Sequence, residues 1–293
     1  MRQPSIPDVD FAFSRVRLAE VTLHVAFAGP EEGEPVVLLH GFPEFWWGWR
    51  RQIPGLVAAG YRVVVPDQRG YNLSDKPRGA SAYGARRLAG DVAALIAATC
   101  DGRAHLVGHD WGGVIAWAVG ALHPERLMSL SVLNAPSLSV TGGYARRHPS
   151  QALKSSYVAA FQAPVLPEIA LSARGYRALR RALVGSSRRG TFDRADLAIY
   201  ADAWAQPGAL TAMLNWYRGL VRAPARLEGM RVPVRTQVLW GARDRFLEVG
   251  LARESVALCD HGRLDVFDDA THWIHLEEPE AVTQRLVAFF KAG

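Results

Sequence analysis

Gly108-His109-Asp110-Trp111-Gly112-Gly113 decides the fold of this chain. It stands between an apolar run at residues 104–107 and a helical pattern at residues 114–123. Glycines two residues before and two after a central side chain suit a sharp strand-to-helix turn, a nucleophile elbow, that presents the central residue above a sheet. Serine is the usual central residue, and aspartate stands here. A carboxylate can displace a leaving group from saturated carbon and leave an ester for water to cleave. The residue type therefore moves the expected chemistry from acyl transfer to alkyl transfer. A helix N-cap aspartate in a tight turn is the plainer reading of the same six residues.

Outward from the elbow, short β-rich runs alternate with helical patterns. Residues 36–39, 62–65, 104–107, 128–133, 237–240 and 263–267 read as strands. The first and third are almost continuously apolar, as a sheet covered on both faces requires. Residues 15–28 read as a leading antiparallel ribbon, and residues 45–59, 85–98, 114–123, 251–258 and 279–290 as amphipathic helices. Pro279 suits a first helical position. Strands alternating with helices predict an α/β fold with a mostly parallel central sheet. The alternation breaks once, between Ser137 and about Arg235, where Ala, Leu, Arg, Tyr and Trp recur at helical spacing. A parallel crossover needs only about a dozen residues. The excess predicts an inserted all-helical cap, with a core at residues 1–136, the cap at 137–228 and the rest of the core at 229–293.

Composition narrows the partners. The formal charge is +6, from 34 basic and 28 acidic residues, but the arginines are scattered and Lys76, Lys154 and Lys291 are the only lysines. Without a basic block, no nucleic-acid partner is expected. Cys100 and Cys259 have no close-spaced partner, so neither a disulfide framework nor a zinc site is expected. Met1-Arg2-Gln3-Pro4 lacks the apolar stretch of a signal peptide. No run reaches the roughly 18 apolar residues of a membrane span. The expectation is a soluble, cytoplasmic chain without a membrane partner, with homo-oligomerisation left open.

Three side chains fit a catalytic set. Asp110 is the candidate nucleophile, and the helix N-terminus behind it favours its anionic form. In chains built on such an elbow the order is nucleophile, acid, histidine. His272 lies late, on the loop after the strand at 263–267, and is the candidate base. Asp244 follows the strand at 237–240 and is the candidate acid, able to accept from the histidine Nδ1–H. A turn aspartate bonded to local backbone is its plainer reading. The competing position, Asn134, cannot carry the charge. His275, His40 and His109 are read as structural. His40-Gly41-Phe42-Pro43 ends an early strand. The backbone N–H groups of Phe42 and Trp111 are candidates for an oxyanion hole, and Pro43 for a cis peptide.

Together these pieces resemble the epoxide hydrolases of the α/β-hydrolase superfamily, over about residues 36–290. The resemblance is carried by His40-Gly41-Phe42-Pro43-Glu44-Phe45-Trp46, by Asp67-Gln68-Arg69-Gly70-Tyr71 with Ser74-Asp75-Lys76-Pro77, by the elbow, and by residues 272–279. It implies the α/β-hydrolase fold, the roles just given to Asp110, Asp244 and His272, and no metal or organic cofactor. Tyr157-Val158-Ala159-Ala160-Phe161-Gln162-Ala163-Pro164 and Asn215-Trp216-Tyr217-Arg218 are similar to the segments that carry two ring-opening tyrosines. By that likeness Tyr157 and Tyr217 would donate to an epoxide oxygen. A phenol with a pKa near 10 stays protonated at neutral pH and can do so. Trp46, Trp47 and Trp216 are assigned mainly to core packing.

Haloalkane dehalogenases share the Asp-Trp elbow but often have asparagine where Phe42 stands. Fluoroacetate dehalogenases resemble the chain too, but place arginines just after the nucleophile, where Trp111, Gly112 and Gly113 stand. A non-catalytic ligand-binding protein on the same scaffold is the remaining alternative. It leaves the matched nucleophile, acid and base without a purpose.

Overall fold

A computed structural model describes residues 4–225, 227 and 229–292. Eight strands form one sheet, in the spatial order β1-β2-β4-β3-β5-β6-β7-β8. They are β1 Phe11–Arg17, β2 Thr22–Ala28, β3 Pro35–Leu39, β4 Arg62–Pro66, β5 Ala104–His109, β6 Leu127–Leu133, β7 Thr236–Gly241 and β8 Gly262–Phe267. β1 and β2 pair antiparallel, as do β2 and β4, and every later pairing is parallel. The mostly parallel sheet is therefore present, and the leading ribbon begins earlier than expected, at Phe11. Val36, Val37, Leu38 and Leu39 are all fully buried. Successive strand side chains point to opposite faces, so helices must cover both sides of β3.

The core helices are α1 Ile53–Ala58, α2 Ala85–Thr99 and α3 Trp111–Leu122. The helix expected over residues 45–59 is a correction. A 3-10 turn at Trp46–Trp49 comes first, and α1 starts only at Ile53. Pro54 explains the start, because proline without an N–H suits the first helical turn and not a helix interior. The elbow helix begins at Trp111 rather than Val114, directly after Asp110.

Between β6 and β7 the described residues form helices and no strand: α4 Leu138–Arg147, α5 Pro149–Lys154, α6 Ser156–Ala160, α7 Leu166–Ser186, α8 Arg194–Trp204 and α9 Ala209–Arg222. The expected cap boundary at residue 228 lies outside the described residues, as do Met1, Arg2 and Gln3 of the expected leaderless N-terminus. α7 bends sharply where Arg174, Gly175 and Tyr176 all take left-handed backbone angles. Asp193 and Asp196 form a reciprocal capping box at the start of α8. Asp196 also pairs with the buried Arg50 at 2.9 Å, tying the insertion to the core. α10 Val249–Val256, α11 Ile274–Glu277 and α12 Pro279–Lys291 complete the chain. Among the described residues, no helix is long and apolar enough to cross a membrane.

Candidate active site

The parallel strands deliver their C-terminal ends to one edge of the sheet, which is where open α/β sheets bind ligands. β5 ends at the elbow. Asp110 has φ +50° and ψ −121°, a conformation that costs an ordinary side chain energy and persists because its surroundings enforce it. The flanking glycines are required sterically. A Cβ on Gly108 would lie 2.4 Å from the Gly112 carbonyl oxygen, and one on Gly112 would lie 2.2 Å from that of Leu39. The plain N-cap reading fails, because the Asp110 side chain caps no helix N–H. Instead Phe42 N–H donates to its Oδ1 at 2.7 Å.

β8 and β7 supply the partners. His272 Nε2 lies 3.4 Å from Asp110 Oδ2, and His272 Nδ1 lies 2.7 Å from Asp244 Oδ2. The structure thus brings together the three residues singled out by chain order. Asp244 is held from several sides. Its Oδ1 accepts from the Phe246 and Leu247 N–H groups at 2.7 and 3.1 Å, and its Oδ2 accepts from Asn134 Nδ2 at 2.8 Å. Asn134, weighed above as the rival position for the acid, is a donor to that acid. Its own Oδ1 accepts from Gly241 N–H at 2.9 Å, which fixes the end of β7.

The Phe42–Pro43 peptide is cis. Trp111 is the first residue of α3, so its N–H has no acceptor within the helix. His40 carries backbone rather than protons to a substrate. Its Nδ1 donates to the Gly41 carbonyl at 3.0 Å and its Nε2 accepts from Gln68 N–H at 3.1 Å. Burial lowers its pKa, which suits this neutral form.

Over this edge the insertion closes a cavity of about 250 Å³. Asp110 and His272 line it, together with Tyr157 of α6 and Tyr217 of α9. The two phenol rings meet edge to face with centroids 6.0 Å apart. Phe42 and Trp111 pack edge-on against the Tyr217 ring at 5.3 and 5.0 Å. Gln162 Nε2 donates to the Tyr217 carbonyl at 3.0 Å, and the buried Arg218 donates to the Phe161 and Ala163 carbonyls at 3.0 and 2.7 Å. The two tyrosine-bearing segments are therefore stapled to each other. Leu171, Leu179 and Leu183 of α7 form the apolar wall, with Phe161 and Phe246. Trp46, Trp47 and Trp216 do not line the cavity; Trp216 Nε1 donates to the Arg69 carbonyl at 2.9 Å inside the core.

The electrostatics divide the groups by role. Burial would raise the Asp110 pKa, but His272 outweighs it and holds the carboxyl below its ordinary value. Burial would lower the His272 pKa, but the Asp244 and Asp110 charges raise it to about 10. In the resting site His272 is therefore an imidazolium between two carboxylates. Burial, and then the Asp110 charge, push Tyr157 above its ordinary value, and burial with Tyr157 and Asp110 does the same to Tyr217. Both phenols remain proton donors.

The sequence did not single out the α7 leucines, Phe161, Phe246, Gln162 or Arg218. Their types are common in any helical segment, and only the fold brings them to the cavity. Glu44 stood in a quoted motif without a role, and it lies buried behind His272.

A family model described as the alpha/beta hydrolase fold matches residues 34–279. The chain is 46% identical over 271 residues to AB hydrolase superfamily protein YfhM of Bacillus subtilis (strain 168), covering 92% of this chain and 95% of the relative. It is 35% identical over 286 residues to Epoxide hydrolase 4 of Mus musculus, covering 95% of this chain and 79% of the relative. The crystal structure of Epoxide Hydrolase A from Mycobacterium thermoresistibile superposes with a TM-score of 0.84 at 28% identity, covering 96% of this chain and 98% of that one.

Proposed function

The chain belongs to the epoxide hydrolases of the α/β-hydrolase family, and from that premise we propose that it converts an epoxide and water to a vicinal diol through a covalent ester on Asp110. The observation that carries this reading is one cavity with Asp110 and His272 on its floor and two protonated tyrosines above them.

Phe42 N–H holds Oδ1 of Asp110, which leaves Oδ2 to attack an epoxide carbon. Ring opening releases an alkoxide far more basic than a phenolate, and Tyr157 and Tyr217 bind that oxygen and supply its proton. Esterification removes the Asp110 charge. One of the two carboxylates that raised the His272 pKa is then gone, so His272 gives up its proton more readily, the tyrosinate left by ring opening regains a proton, and neutral His272 becomes a base. Neutral His272, oriented by Asp244, deprotonates a water that attacks the ester carbonyl. Oδ1 becomes the oxyanion, with the Phe42 and Trp111 N–H groups as its donors. Each such donor is worth about 2.7–4 kcal/mol in the transition state. Collapse of the tetrahedral intermediate breaks the ester bond, the leaving oxygen takes the proton of the added hydroxyl, the diol leaves, and Asp110 is restored as a carboxylate beside protonated His272. Every proton and charge in this sequence is handled by side chains of the chain, so the reading asks for no metal or organic cofactor.

The test uses a panel of neutral epoxides with the native protein and with His272→Gln. The native protein should form diol. The variant should stop at the ester, and its intact mass should rise by the mass of one epoxide. No diol and no adduct across the panel, with halide release from haloalkanes instead, would move the reading to a dehalogenase.

A further inference from the structure

His272 is framed by two neighbours that are both tied to the insertion. On one side, Trp273 Nε1 donates to Ser186 Oγ at 2.8 Å. On the other, Thr271 gives its N–H and its hydroxyl to the carboxylate of Glu277, each at 2.7 Å. The Thr271 hydroxyl also accepts from Trp273 N–H at 3.4 Å, which links the two sides of the frame. Glu277 ends the single turn of α11, and its side chain is wholly buried. The steps above give it no part.

The other half of the Glu277 carboxylate belongs to the insertion. Oε1 accepts from the Arg188 backbone N–H at 2.7 Å, and Oε2 pairs with Arg188 Nε at 3.3 Å. Arg188 Nη2 donates to the Glu277 carbonyl at 2.6 Å as well. Ser186 is the last residue of α7, and Arg188 follows it closely. A glutamate that only closed its own turn would find its donors within its own loop. Half of these donors stand 89 positions away. A buried carboxylate stripped of its partners is costly, so Glu277 needs both sets in place at once.

The same end of α7 shapes the cavity. Leu179, Ala182 and Leu183 line it, and Ser186 Oγ donates to the Ala182 carbonyl at 2.6 Å. The apolar wall and the loop of the base therefore share one hydrogen-bonded junction. We propose that Glu277 is a positioning residue that joins the end of α7 to the loop of His272, so that the insertion holds the base in place for hydrolysis of the ester, a role that rests on the reaction proposed above.

The junction matters most in the second step. In the resting site His272 is fixed at both ring nitrogens, by Asp244 at Nδ1 and by Asp110 at Nε2. Esterification removes the Asp110 charge, and with it the second tie. The ring is then aimed by Asp244 and by its own backbone. Ring opening has no such dependence. It uses Asp110, Tyr157 and Tyr217, and the tyrosine segments are held by Gln162 and Arg218 rather than by Ser186, Arg188 or Glu277.

Two variants cut the junction from opposite sides. Glu277→Gln replaces one oxygen by an amide NH₂ that faces a backbone N–H in either orientation, that of Arg188 or that of Thr271. Ser186→Ala with Arg188→Ala removes side-chain partners from the insertion and leaves every residue of the base loop unchanged, so it reads the proposal if Glu277→Gln fails to fold. Both are measured on the full chain with styrene oxide, by single-turnover quench. A misplacement of about 1 Å costs up to about a hundredfold in rate, so hydrolysis of the alkyl-enzyme should slow by about ten- to a hundredfold while ester formation keeps its native rate. A Glu277 that only stabilised the fold would lower the melting temperature and leave the ratio of the two steps unchanged. A second measurement needs no substrate. His272 Nδ1–H, in a short charge-assisted bond to Asp244 at 2.7 Å, gives a far-downfield proton NMR signal, identified by its loss in His272→Gln. That signal should shift or broaden in both variants. An unchanged ratio of the two steps, or an unmoved signal in a folded variant, overturns the proposal. If no epoxide is opened, the signal alone decides, so failure of the junction and failure of the epoxide reading are told apart.

Discussion

The sheet edge and the helical insertion build one cavity by different physical means. At the edge, strand register does the placing. Asp110, Asp244 and His272 follow β5, β7 and β8, and backbone contacts too close for any Cβ force glycine at positions 108 and 112. The side chains are then fixed by ion pairs and by donors such as Asn134 Nδ2. Among the described residues of the insertion no strand sets a register. Tyr157 rides on the five-residue helix α6 and is tied to α9 through Gln162 and Arg218. α7 bends through three left-handed residues between Leu171 and Leu179, so one wall of the cavity depends on an irregular turn. The difference separates two functions. The edge fixes which bonds can be made, and the insertion fixes what fits and where the leaving oxygen is received.

That division can be broken experimentally. The largest effect is expected in the insertion, from Tyr157→Phe combined with Tyr217→Phe. General acids contribute typically about 10²–10⁴-fold, so ester formation measured by single-turnover quench should fall by at least about a hundredfold while the circular dichroism spectrum is unchanged. Near-native ring opening would assign the oxygen's reception to the edge instead.

A smaller effect sharpens the edge side. His272 has its pKa raised from 6.5 to about 10 while Asp110 is charged, so it stays protonated as pH rises until about 10. Ring opening uses the Asp110 carboxylate and protonated tyrosines, neither of which changes between pH 6 and 9 in this site. Ester formation followed by rapid-mixing fluorescence should therefore be flat over that range. Ester hydrolysis should rise with pH, with a midpoint well below 10, because Asp110 has lost its charge. A common midpoint for both steps would show that His272 acts in ring opening as well.

The same contrast explains what was legible in the amino-acid sequence. The elbow, the order Asp110, Asp244, His272 and the Phe42–Pro43 turn were readable because backbone sterics leave few residue types at those positions. Residues 45–59 were misread as one helix because periodicity does not register that Pro54 starts a new one. Asn134 was weighed only as a substitute acid. Its real work, donating to Asp244 and accepting from Gly241, depends on two strands adjacent in the sheet but far apart in sequence. Glu44 and His109 were quoted in motifs, yet their pairing spans 65 positions and needs the folded edge. The α7 leucines carry no local signal, since an apolar cavity wall and an apolar core look alike along a helix.

The covalent role of Asp110 is tested most directly by one turnover in ¹⁸O-water, with enzyme in excess of epoxide and mass spectrometry of both the diol and the peptide containing Asp110. The expected result is ¹⁸O in the Asp110 carboxyl and none in the first-formed diol, because water attacks the ester carbonyl and the diol keeps the oxygen Asp110 gave it. Label in the diol with an unlabelled Asp110 would contradict the ester and place water directly on the epoxide.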